Sequence, residues 1–164
     1  MPFALLLTAC GADKAPAPTF FAEKIPVYAP TSAVSPDEIR NVLDGFKYVT
    51  ADAAPGVKLN TAPLRIFVAA APFSAAECGA PTGCWGYTEF RGATIDVHVA
   101  LTDDGCFSNG PLGHELAHVA LQQSTGNADM PHASPLWWGW NGIVDAIKVD
   151  VGVVCAAGAD VNKT

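Results

Sequence analysis

Residues 114–118 read His-Glu-Leu-Ala-His. On a helix, side chains four apart stack on one face, so His114 and His118 can present both imidazoles to one ion. Imidazole suits zinc well. Glu115 sits about a quarter-turn round the helix. Its carboxylate is poorly placed to join the two histidines as a ligand. It can instead take a proton from a metal-activated water, whose pKa falls to about 7, and pass it to a leaving amine.

Two histidines do not complete a metal site. Asp129 and His132 both follow closely, and three of the four histidines fall between 114 and 132. In one arrangement His132 is the third ligand and Asp129 orients a ligand histidine. In the other Asp129 ligates and His132 stabilises an oxyanion. The softer, neutral imidazole favours the first. Asp is also an ordinary turn residue after a helix end.

These residues need a frame. Pro111 opens the helix that carries 114–118, after a loop over 102–110, and Gly126 closes it. Ser35-Pro36-Asp37-Glu38 is a helix start, followed by Ile39, Val42, Leu43 and Phe46 at helical spacing. Residues 25–30 predict a short first strand. Residues 63–71 are a nearly continuous apolar run, a central strand. Residues 84–90 and 93–101 read as a hairpin. In its second strand Thr94, Asp96 and His98 face one way and Ile95, Val97 and Val99 the other. His98 and Tyr87 are therefore candidates to line a cleft. Ser134-Pro135 starts a last helix with Trp137 and Trp140 on its apolar face; Trp138 lies off that stripe and is a candidate subsite wall.

The segment 114–118 resembles the HExxH motif of the zincin superfamily of zinc metallopeptidases. The similarity covers residues 110–140. It implies a helix bearing the two histidines, a twisted sheet beside it, and an edge strand bordering a substrate cleft. The metzincin pattern is absent, because Ser124 stands where its third His would be. The gluzincin Glu is absent too, since no Glu follows Glu115. The stretch is similar to the aspzincin (deuterolysin-like) pattern, Gly-Thr-x-Asp-x-x-Tyr. Gly126 and Asp129 match it; Asn127 replaces Thr and His132 replaces Tyr.

The rest of the chain bounds the setting. It has 164 residues, half of them hydrophobic and 15% charged, with a net charge of −7. That suits one globular domain. The basic residues are scattered singly, which argues against a nucleic-acid partner. Leu7-Thr8-Ala9-Cys10 resembles the lipobox of bacterial lipoproteins, which implies a signal-like segment over 1–9 and a lipid on Cys10. Residues 10–24 read as a tether. Four further cysteines remain, which allow three connectivities that the sequence alone does not choose between; the expected pairs are Cys78–Cys84 and Cys106–Cys155.

The expectation is a single α+β domain over 25–164, zincin-like, with a small twisted mixed sheet, the HExxH helix and a following C-terminal helix. It would be an exported, lipid-anchored monomeric zinc metallopeptidase at the periplasm or cell surface, meeting the membrane only through its lipid. Glu115-assisted attack of zinc-activated water would cleave peptide or protein substrates. From a different class, the alternative is a lipoprotein binding module on the same scaffold, with structural or vestigial zinc.

Overall fold

The computed structural model describes residues 16–30, 34–103, 105–134, 137 and 153–155. The signal-like segment, Cys10, Trp138 and, apart from Trp137, the helix expected after Ser134 lie outside them.

A five-stranded mixed sheet carries the fold. Its strands are β1 (Phe20–Ala22), β2 (Ile25–Tyr28), β3 (Leu64–Ala69), β4 (Gly86–Arg91) and β5 (Thr94–Ala100), in the order β1-β2-β3-β5-β4. β2, β3 and β5 run parallel; β1 and β4 are antiparallel to their neighbours. The expected strands at 25–30, 63–71 and in the 84–101 hairpin thus form with trimmed ends. The hairpin turns on Gly92-Ala93, where Gly92 has φ 60° and Ala93 does not follow it into the left-handed region. A glycine at the first of two turn residues suits the twist of the flanking strands.

The tether expected over 10–24 needs correction at its end. Phe20–Ala22 pairs with Ile25–Val27, and Ala22 is fully buried. A two-residue turn at Glu23-Lys24, both at positive φ, folds this short strand back. Three residues carry too little alternation to announce a strand; their partner makes them one.

Helix α1 (Pro36–Ala53) begins as its sequence predicts. Ser35 accepts from the Glu38 N–H at 3.3 Å, and the Glu38 carboxylate reaches back to the Ser35 N–H. This reciprocal cap satisfies two donors that a helix start otherwise leaves open. Ile39, Val42, Leu43 and Phe46 are fully buried. A four-residue helix, α2 (Ala75–Cys78), follows β3.

Helix α3 (Asn109–Thr125) starts two residues before Pro111. The expected loop over 102–110 also holds a strand, β6 (Cys106–Ser108), paired antiparallel with β7 (Val153–Cys155). Pro111 is tolerated inside the first turn because N–H groups there have no helical partner. Gly126 closes α3 at φ 76°, its N–H bonding to the Gln122 carbonyl at 2.9 Å. Leu112, Leu116, Val119 and Ala120 are fully buried, so α3 is apolar on several sides, as befits an internal helix. It packs on β4, β5 and α1.

The inward sheet residues Val27, Leu64, Ile66, Val97 and Val99 join α1, α3 and Trp137 in one core. The other face of the sheet carries a row of rings, one on each of β2, β3, β5 and β4. Tyr28, Phe67, His98 and Tyr87 stand directly opposite one another in register and stack at centroid distances of 4.6, 4.8 and 4.3 Å.

β4 is an edge strand: among the described residues nothing pairs with its outer side. The Ala100 N–H donates to the Trp85 carbonyl at 2.8 Å, which fixes the alternation along the hairpin. Trp85, Tyr87 and Glu89 direct their backbone groups to β5. Gly86, Thr88 and Phe90 direct theirs to the open edge.

Cys78 and Cys84 are joined by a disulfide. Cys106 is also disulfide-bonded, and the residue opposite it across the β6–β7 ladder is Cys155. Among the described residues no helix is long and apolar enough to cross a membrane.

Candidate metal centre

α3 delivers His114, Glu115 and His118 from its middle turns. The chain then leaves at Gly126, turns back, and brings His132 onto the same spot. The Nε2 of His132 lies 3.0 Å from that of His114 and 3.2 Å from that of His118. These three residues can hold a metal ion. The His118 Nδ1 faces the Ala128 carbonyl at 2.7 Å. A carbonyl only accepts, so Nδ1 carries the proton and Nε2 keeps its lone pair for a ligand bond. Burial holds the His118 pKa below its ordinary value, which favours the neutral, ligating form.

The return loop is built around Asp129. Both Asp129 and His132 adopt left-handed backbone, at φ 53° and 57°. Such conformations cost about 1–2 kcal/mol each for residues other than glycine. Offsetting bonds converge on the Asp129 carboxylate. It accepts from the Ala133 N–H at 3.1 Å, the Ser134 N–H at 2.7 Å and the Trp137 indole N–H at 2.7 Å. The Ser134 amide, then the indole, hold its pKa below the usual carboxylate range. The His132 N–H closes the turn onto the Asp129 carbonyl at 2.8 Å. Asp129 is therefore the anchor of the loop, and the convergent donor group does not include it.

Trp137 is fully buried and touches every member of that group. Its ring lies 4.9, 4.4 and 4.7 Å from those of His114, His118 and His132. Trp137→Phe keeps an aromatic ring there but removes the tether to Asp129. Groups that orient metal ligands contribute about 10–100-fold to affinity. We expect Trp137→Phe to weaken zinc binding by about tenfold, read by competition with a chromophoric chelator; unchanged affinity would show that the tether does not support the loop.

Glu115 is buried between α3 and β4. Thr88 donates its hydroxyl to the Glu115 Oε2 at 2.7 Å. Burial pushes the Glu115 pKa up to about 7, against the lowering effect of that bond. A carboxylate poised there at neutral pH is matched to general acid–base work.

The structure does not bring Tyr87 and His98 to the three histidines. Thr88 points inward to Glu115, so its neighbours Tyr87 and Glu89 point to the opposite face, as does His98. There His98 is stacked between Phe67 and Tyr87, and burial lowers its pKa. Glu89, Asp96 and His98 form a second group of potential ligands. Guanidinium groups already occupy it: Arg65 binds Asp96 through two bonds of 2.7 and 2.6 Å, and Arg91 binds Glu89 at 2.6 Å. Those cations balance the carboxylates that would attract a metal.

Sequence reasoning missed Thr88 and Gly86. Thr88 stands opposite Val97 in the hairpin register, which makes it a polar residue on an apolar face. That mismatch was the available signal. Compared with known proteins, the chain matches no family model, no curated protein and no solved structure.

Proposed function

We propose that the protein is a zinc-dependent metallopeptidase of the zincin type. The carrying observation is the convergence of three imidazole nitrogens, two of them from a helix that also holds a buried carboxylate, Glu115, against an open sheet edge. Zinc–nitrogen bonds of about 2.0–2.1 Å would place tetrahedral nitrogens about 3.3 Å apart. The separations of 3.0 and 3.2 Å need only a slight expansion. His114, His118 and His132 would hold the ion. A bound zinc would supply Lewis acidity, acidifying water and polarising a carbonyl.

The remaining chemistry belongs to the chain. Glu115 takes a proton from the attacking water and returns it to the leaving amine. The outward backbone groups of Gly86, Thr88 and Phe90 receive an extended peptide as an added strand. A structural zinc takes four protein ligands. Asp129, the other ligand candidate, accepts three N–H bonds within the return loop instead, which favours the peptidase over a four-ligand structural site built on it. Disulfides persist in oxidising compartments, so the Cys78–Cys84 bond supports export and is compatible with a lipid anchor at Cys10.

The test is direct. The full chain, loaded with one equivalent of zinc, is incubated with a mixed peptide library and the products are read by mass spectrometry. Cleavage that stops with a chelator and returns with zinc supports the peptidase. Stoichiometric zinc binding without cleavage supports the binding module instead.

A further inference from the structure

We propose that edge strand β4 positions the general base, with Thr88 as its hydrogen-bond donor and Gly86 as the clearance it needs. This rests on the reading of Glu115 as the base. Thr88 and Gly86 are two apart on one strand, so both face α3. The Thr88 hydroxyl holds the Glu115 Oε2 at 2.7 Å in a buried setting. The other carboxylate oxygen lies over Gly86. A Cβ on residue 86 would stand 3.0 Å from both Cγ and Oε1 of Glu115, and 3.1 Å from the His98 carbonyl. The backbone cannot yield easily on the His98 side, so an added methyl group would push Glu115 aside.

These same two residues turn their backbone groups to the open edge of β4. The strand that would receive a peptide therefore also sets where the base sits relative to that peptide. Orientation of this kind acts on the chemical step: a misplacement of about 1 Å can cost about 100-fold in rate. Neither residue belongs to the convergent histidine group. Their effect is accordingly separable from metal binding.

The experiment uses the full chain. Thr88→Val keeps the shape and removes the donor; Thr88→Ser keeps the donor. With zinc loaded, Thr88→Val should lower kcat by about 10- to 100-fold with KM within about threefold, and Thr88→Ser should recover most of it. Gly86→Ala should also lower kcat, and all three variants should bind one equivalent of zinc. Independently of activity, a denaturation cycle of Thr88→Val, Glu115→Ala and the double variant, all metal-free, should be non-additive, because Glu115→Ala leaves the hydroxyl no acceptor. An additive cycle, an unchanged kcat in Thr88→Val, or an equal loss in Thr88→Ser overturns the positioning role. If the parent protein binds zinc yet cleaves nothing, the peptidase reading fails, while the cycle still reports the contact on its own.

Discussion

With Gln in place of Glu115, the zinc-loaded protein is expected to lose hydrolysis by about a thousandfold, within the range of about 10²–10⁴ that a positioned general base contributes. The amide matches the carboxylate in shape, and its carbonyl can still accept from the Thr88 hydroxyl, which lies 2.7 Å from Oε2 in the parent. It cannot take a proton from water. The three histidines are untouched, so zinc content should stay at one equivalent. Initial rates and elemental analysis on the same sample check both halves. A variant that keeps both zinc and most of its rate would place the base elsewhere.

The same substitution should change stability in the metal-free protein. Burial raises the Glu115 pKa from 4.5 in the unfolded chain to about 7 in the fold. Between those values the folded state holds a proton that the unfolded state has released. Stability therefore falls as pH rises from about 4.5 to about 7 and levels off above. The loss is of order 3 kcal/mol, from about 1.4 kcal/mol per pKa unit. Glu115→Gln has no proton to lose there and should flatten that part of the profile. Urea midpoints at pH 4.5, 6 and 8 measure it, and equal slopes for parent and variant would contradict it.

Local signals carried most of what could be read in advance. Ser35-Pro36-Asp37-Glu38 makes its cap from its own neighbours, and the stripe beginning at Ile39 then buries. His114 and His118 meet because four residues make about one helical turn. His132 was a candidate through nearness in sequence, and the return at Gly126 brings it back. Nonlocal pairings were not legible. β6 is a strand only because β7 lies against it, far along the chain. Period-two alternation separated Val97 from His98 but could not say which face meets α3, since both faces of the hairpin carry polar residues. Hence alternation alone makes His98 and Tyr87 cleft candidates, whereas in the fold it is Thr88 that touches Glu115.

The choice between His132 and Asp129 becomes a comparison of two variants. His132→Ala removes one of three convergent nitrogens. Structural zinc sites bind with about 10–16 kcal/mol over four ligands, so one ligand accounts for about 2.5–4 kcal/mol and its loss for about 100- to 1000-fold in affinity. Asp129→Asn acts differently. Its carbonyl can still accept from Trp137 or Ser134, but the charge that strengthens all three bonds is gone. The loop then holds His132 less firmly, a cost of about 10- to 100-fold. Competition titration with zinc should rank His132→Ala as the weaker binder. Were Asp129 the third ligand, that ranking would invert, because His132→Ala would leave the shell intact. The Asp129 carboxylate accepts from three N–H donors that also fix the left-handed turn, and so serves to hold His132 in place.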